Sequence, residues 1–207
     1  MIKAIIFDFG GVCFYPGTTN QLLLEALFNS KISKIKILSL LLNFKKRKKI
    51  RMLVEEFNLG KISESVFWKK IKKVTGYDFD ETELKKEIIS LNKPIEPVIN
   101  IIKNLKKNYK LGLLTNNNAW LEEINKKYDF YKYFDVVINS CDVGISKPNK
   151  EIYIMMLERI NAKPKECIFI DDKKKNVEAA IKLGINGIVY KNPKQLLLDL
   201  KKLGVKI

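Results

Sequence analysis

The sequence contains no histidine. That absence excludes Ser-His-Asp and Cys-His catalytic arrangements, histidine-based zinc sites and a histidine proton shuttle. Catalysis is left to carboxylates, lysines, hydroxyls or a metal held by oxygen. Cysteine is scarce as well: Cys13, Cys141 and Cys167 have no CxxC spacing and suggest no disulfide framework, which fits a reducing compartment. Long apolar runs are missing, the most apolar window, 35–44, being broken by Lys36, Ser39 and Asn43. With no signal-like opening segment either, a soluble cytoplasmic protein with no membrane partner is expected. Low-complexity tracts are absent, so disorder is not expected.

Acidic residues are outnumbered, 23 against 39 lysines and arginines, for a formal charge of +16. Such a surface attracts anions, and both phosphorylated small molecules and nucleic acid fit that description. Lysine is spread over nearly every amphipathic segment, however, which is the mark of solvated helix faces. The run Lys45 to Lys49, with Arg51, is the one stretch that resembles a nucleic-acid or anionic-membrane patch. It has no interleaved aromatics and no nucleic-acid motif, so a small anionic substrate is the expected partner and nucleic acid is not. The sequence leaves the oligomeric state open.

What is present is a chain of 207 residues, enough for one core, or for a core of about 130 residues with an insert. Its opening stretch, IKAIIFDFGGV, reads as a buried strand that delivers Asp8 to its carboxyl end, where Gly10-Gly11 turn the chain away. A turn is expected at Pro16-Gly17, followed by a helix capped by Thr18, Thr19 or Asn20. From Leu22 to about Asn92 apolar residues recur at three- and four-residue spacing, which predicts three or four helices with turns at Gly60 and Gly76 and helix starts at Ser63 and at Asp80 or Thr82. Beyond Pro94 helix and strand alternate, with strands expected at 110–114, 135–139, 166–170 and 187–190 and the loop 140–149 between two of them. This pattern predicts an α/β fold, a doubly wound, Rossmann-like parallel sheet.

Ligands of such sheets bind beyond the carboxyl ends of the strands. There the sequence places Asp8, Thr115-Asn116 and Asp171-Asp172, with Lys147 in the loop after the third strand. Asp171 and Asp172 facing Asp8 would repel unless a cation lay between them, so a hard divalent metal with oxygen ligands, Mg²⁺, is expected. Capping of the next helix is the competing role for Asp172. Phe14, Tyr15, Phe67 and Trp68 are candidate pocket aromatics, although the spacing of Phe67 and Trp68 with Ile71 favours packing inside the helical block.

Four segments in this order, FDFGGV, LLTNN, SKPNKEIY and FIDDKKKNVEAA, resemble the motifs of the haloacid dehalogenase-like hydrolases. The resemblance implies a sheet order of 3-2-1-4-5 and an all-helical cap inserted after the first motif. The corresponding boundaries are 1–14 and 93–207 for the core and 15–92 for the cap. It also implies a phosphatase of small phosphorylated metabolites in which Asp8 is the nucleophile. Thr115 and the amide of Asn116 would bind the phosphoryl oxygens and Lys147 would neutralise nucleophile and phosphate. Mg²⁺ would sit on Asp8, the Gly10 carbonyl and Asp172, with Asp171 beside it or acting through water. Two positions depart from the pattern. Gly10 stands where most phosphatases of the family carry an acid/base aspartate, and Asn176 where many have another aspartate. A 2-haloacid dehalogenase and a catalytically degraded phosphate- or nucleic-acid-binding protein are therefore kept as alternatives.

Overall fold

The computed structural model describes residues 1–15, 17–30 and 32–207. Five parallel strands form the central sheet: β1 (Ala4–Phe7), β4 (Lys110–Thr115), β5 (Val136–Asn139), β6 (Cys167–Asp171) and β7 (Asn186–Val189). Their spatial order is β5-β4-β1-β6-β7, which for strands counted along the sheet-forming chain is 3-2-1-4-5. The first strand is thus central, with Phe7 level with Leu113 on one side and Ile170 on the other. All four residues of β1 are buried because both faces of the sheet are covered. Ile5 and Phe7 point into a cluster with Val98, Leu105, Leu196 and Leu200, from helices α6 (Glu96–Leu105) and α11 (Pro193–Lys202). Ala4 and Ile6 join the opposite cluster, with Met156, Ile160 and Ala180 from α9 (Lys150–Ile160) and α10 (Lys174–Ile181). The two-residue period of a strand makes this partition.

A two-stranded antiparallel ribbon, β2 (Phe14–Tyr15) against β3 (Lys93–Pro94), carries the chain out of the sheet layer and back. Between them the described residues form five helices rather than three or four: α1 (Thr19–Asn29), α2 (Lys34–Leu42), α3 (Phe44–Asn58), α4 (Glu64–Thr75) and α5 (Glu81–Leu91). The extra boundary falls at Asn43, which ends α2 and caps α3, its side chain accepting from the Lys46 amide at 3.0 Å. One polar residue breaks the chain there without glycine or proline, and the apolar period runs across it. Thr18, Ser63 and Asp80 cap α1, α4 and α5. The proline of the turn expected at Pro16-Gly17 lies outside the described residues. The expected loop 140–149 begins with a single helical turn, α8 (Ser140–Val143).

The helical block has its own core of Leu23, Leu27, Phe57, Phe67, Trp68 and Ile71, among others. One member comes from the sheet layer. Trp120, the first residue of α7 (Trp120–Tyr128), stacks on Trp68 at 5.4 Å and meets Phe57 edge-on at 5.0 Å. Of the candidate pocket aromatics, Phe67 and Trp68 are buried in this core. Phe14 is packed on Phe9 at 4.5 Å in the sheet-layer core, and Tyr15 is exposed on the ribbon. None of the four lines the cavity described next.

Candidate active site

A cavity of about 180 Å³ lies at the carboxyl end of the sheet, under the helical block. Asp8, Gly10, Thr115, Asn116 and Lys147 all line it, together with Asn58, Lys173 and Asn176. The parallel register makes this convergence unavoidable, because β1, β4 and β6 end level with one another. Asp8 follows directly on Phe7, and its amide donates to the Ile170 carbonyl at 2.8 Å.

Lys147 is the hub. Its Nζ donates to Asp8 Oδ1 and Asp171 Oδ2, each at 2.8 Å, and to the Leu114 carbonyl at 2.6 Å, with only 1% of its side chain exposed. Its backbone is held just as tightly. Asn116 Nδ2 donates to the Lys147 carbonyl and the Lys147 amide donates to Asn116 Oδ1, both at 2.9 Å. A lysine ammonium is therefore in direct contact with both Asp8 and Asp171. The threonine hydroxyl of Thr115 makes no hydrogen bond among the described residues, and the side chain is buried against the cavity.

The two carboxylates that share Lys147 differ in support. Burial works against the ionised form of Asp171, yet Lys147, the Lys173 amide and two bonds from Asn176 Nδ2 hold its pKa below the usual carboxylate value. Asp8 has only Lys147 and the Phe9 amide, both on Oδ1. Burial dominates there and, with Asp171 adding repulsion against the pull of Lys147, lifts Asp8 to about 6. The lysine itself is pushed up, since two carboxylates outweigh the burial that would lower it. Among the described residues no hydrogen-bond donor reaches Asp8 Oδ2.

Asp172 caps nothing: the residue before α10 is Lys173, and no side chain caps that helix. Its Oδ1 is buried without a hydrogen-bond partner, and burial raises its pKa. Oxygens of Asp8, Asp171 and Asp172 lie within 4.8 Å of one another. Two nearby ammoniums, Lys147 and Lys173, do not neutralise three carboxylates. An orphaned buried oxygen in an all-oxygen donor set fits a hard divalent cation. With Asp171 committed to Lys147 and Asn176, the groups left for direct ligation are Asp8, Asp172 and main-chain carbonyl oxygen.

Gly10 is fixed by its surroundings. A Cβ there would collide with the carbonyl oxygen of Gly17. No side chain fits at the position unless the 17–19 segment moves, so an acid/base aspartate at Gly10 is sterically excluded by this backbone. Among the described residues Asp8 is the only carboxylate lining the cavity.

The sequence gives no hint of several residues that hold the site. Asn58, at the end of α3, accepts from Asn118 Nδ2 at 3.1 Å and from Thr19 Oγ1 at 3.4 Å, and its carbonyl accepts from Ser140 Oγ at 2.6 Å. It ties the helical block to two loops of the sheet layer. Two residues on, Gly60 has φ +66° and leaves no room for a Cβ beside the Cys141 carbonyl. Asn139, closing β5, accepts from the Asn117 amide and donates to the Asn118 carbonyl, both at 3.1 Å, and so shapes the loop after Thr115. Tyr153 donates to the Asn176 carbonyl at 2.9 Å from beneath. The local signal was a helix-ending glycine at Gly60 and no more.

A doubly wound parallel sheet with a buried carboxylate–lysine pair at its strand ends and a helical block over it places the chain among the Rossmann-like α/β proteins. The family described as haloacid dehalogenase-like hydrolase matches residues 2–184, and the chain belongs to it. The chain is 29% identical to flavin mononucleotide hydrolase 1 of Arabidopsis thaliana over 153 residues, 73% of the chain and 62% of that protein. It is 32% identical to bifunctional epoxide hydrolase 2 of Mus musculus over 120 residues, 55% of the chain but only 21% of that protein. The chain thus spans less than two thirds of either relative. A family enzyme of Bacteroides thetaiotaomicron, crystallised with magnesium and inorganic phosphate, has the same fold at a TM-score of 0.73 and 20% identity, covering 92% of this chain and 95% of that one.

Proposed function

We propose that the protein is a Mg²⁺-dependent phosphatase of small phosphate esters whose leaving groups depart without a proton from the enzyme. Residues 1–14 and 93–207 act as the catalytic core and 15–92 as the cap over it. The observation that carries the reading is the strand-end Asp8, held through Oδ1 by Lys147 and the Phe9 amide, beside a polar cavity at the carboxyl end of the sheet. Asp8 Oδ2 attacks phosphorus, the bond to the leaving oxygen breaks, and an aspartyl-phosphate forms. Water then displaces phosphate and restores Asp8. The Thr115 hydroxyl and the Asn116 amide donate to phosphoryl oxygens, and Lys147 balances the charge of nucleophile and substrate. Asp8, Asp172 and the Gly10 carbonyl would hold Mg²⁺, which when bound offsets the repulsion between carboxylate and phosphate. The relative named for hydrolysing flavin mononucleotide and the family enzyme crystallised with magnesium and phosphate support this chemistry.

The selectivity follows from Gly10. Without general acid help a rate typically falls by about 10²–10⁴-fold, and the loss is least where the leaving group is already stable as an anion. Aryl, acyl and anomeric phosphates meet that condition better than phosphates of simple alcohols. The test is phosphate release from an aryl phosphate series and from phosphorylated metabolites, with and without Mg²⁺, using Asp8→Asn as the blank. The expected result is Mg²⁺-dependent turnover that falls steeply as the leaving group becomes more basic and is abolished in the variant. Turnover that survives Asp8→Asn would overturn the mechanism. Halide release from 2-halo acids that persists in chelator would assign attack on carbon instead, and hydrolysis of no ester would leave a binding protein.

A further inference from the structure

The outer corner of α2 and α3 is apolar and basic at once. Helical spacing sets Ile37 and Leu40 on one side of α2 and Ile35, Leu38 and Leu42 on the other. The first pair is buried in the core of the helical block, whereas the second set is 80%, 56% and 82% exposed. Phe44, across the Asn43 break at the start of α3, is 74% exposed as well. Lys45, Lys48, Lys49 and Arg51 lie on the exposed side of α3, and none forms an ion pair among the described residues. From Ala26 to Val54 the sequence has no acidic residue at all.

We propose that this corner docks the protein on an anionic membrane surface, with Leu42 and Phe44 entering the headgroup layer and the neighbouring lysines meeting the acidic lipids. Contiguous exposed apolar surface on a soluble protein marks an interaction site, and the flanking charge selects what covers it. Nucleic acid would use the lysines but give three aliphatic side chains no partner, since its bases stack on aromatics and Phe44 is the only one in the patch. A second copy of the chain would bring two uncompensated basic runs together. A bilayer with acidic headgroups satisfies both halves of the patch, as it does for interfacial helices that lie on a membrane without crossing it. The expectation of no membrane partner came from the lack of a spanning run. Among the described residues no helix is long and apolar enough to cross a membrane, and surface docking requires none.

The test is sedimentation of the full chain with phosphatidylcholine vesicles, with and without phosphatidylglycerol, at low and physiological salt. Binding is expected only with phosphatidylglycerol and should weaken as salt rises. Each basic residue at an acidic surface contributes about fivefold in affinity, so Lys48→Glu with Lys49→Glu should cost at least about tenfold. Leu42→Ser with Phe44→Ser leaves the charge unchanged and should also cost about tenfold or more through lost apolar burial. Ile35→Ser with Leu38→Ser is an independent apolar variant with the same expected direction. Lys174→Glu with Lys175→Glu, on exposed positions of α10, should leave binding within about twofold. Circular dichroism establishes that each variant is folded. Three results would overturn the proposal: no binding to phosphatidylglycerol vesicles at low salt, full binding by both folded apolar variants, or equal loss in the α10 variant. Oligonucleotide binding that depends on Lys48 and Lys49, without vesicle binding, would assign the patch to nucleic acid instead.

Discussion

Two groups of lysines in this chain do opposite things with the same chemistry. Lys147 is buried and spends every donor, two on carboxylates and one on a carbonyl. Lys45, Lys48 and Lys49 are exposed and have no carboxylate partner among the described residues. The formal charge of +16 counts them equally. Their surroundings do not: a charge taken out of water must be matched within hydrogen-bond reach, whereas a solvated one is free to meet whatever approaches. One lysine thus ties two buried carboxylates together, and the others are open to solvent.

The largest test of this contrast is Lys147→Met against Lys48→Ala. Removing the ammonium leaves Asp8 and Asp171 facing each other in a buried site and the Leu114 carbonyl without a donor. Breaking a buried pair in this way costs about 3–5 kcal/mol. Urea denaturation should show that loss together with loss of phosphate release, while Lys48→Ala should stay within about 0.5 kcal/mol of the parent. A Lys147→Met protein of undiminished stability would show that Lys147 is dispensable to the fold.

The same contrast runs through α2, where apolar residues occupy both faces. Leu40→Ala should cost about 2–5 kcal/mol because the side chain is buried in the core of the helical block. Leu38→Ser, two residues earlier and exposed, should change stability by no more than about 0.5 kcal/mol. Equal losses in thermal unfolding would mean that the outer face of α2 is covered in solution.

These two helices also mark where reading the sequence stops being sufficient. The sheet was legible because β1, β4 and β6 are apolar runs closed by polar residues, and the order 3-2-1-4-5 followed from the motif resemblance. In the helical block the period of three and four residues located helices without saying which of two apolar faces of α2 turns inward. Asn43 ended one helix and began another with no glycine or proline to announce it. At the site, the strand ends could be listed from the sequence, but the pairing of Lys147 with both Asp8 and Asp171 depends on loops that meet only in the folded chain. Asn58 is the extreme case. Its partners Asn118 and Ser140 are 60 and 82 residues away, and no local pattern encodes either contact.

Asn58→Ala removes the acceptor shared by Asn118 and Thr19, while the main-chain contact to Ser140 can persist. A loss of about 1 kcal/mol in stability is expected from two neutral hydrogen bonds at a partly exposed seam. The larger effect should be on substrate binding, as a rise in KM with kcat little changed, because Asn58 lines the cavity from the side of the helical block. A fall in kcat with constant KM would place Asn58 in the chemical step instead.

The smallest expected effect sets a surface carboxylate against the buried ones. Asp135 pairs with Lys106 at 2.6 Å and accepts from the Leu111 amide at 2.8 Å, with 41% of its side chain exposed. Burial alone would raise its pKa, but the Lys106 ammonium and the amide hold it below the ordinary carboxylate value. A lowered pKa means that the folded state favours the ionised form. The stabilisation is therefore present above the unfolded value of 3.8 and disappears as pH falls through the lower folded value. Asp135→Asn should cost about 0.5–1 kcal/mol near pH 7, a figure already reduced for solvent screening. That difference should shrink as pH falls below 3.8 and vanish once Asp135 is protonated in the folded state as well, leaving a neutral group at 135 in both proteins. Lys147→Met offers the contrast, since its loss comes from buried charges with no water to fall back on. A difference at position 135 that persisted at acid pH would show that the Leu111 hydrogen bond, and not the charge on Asp135, supports the strand.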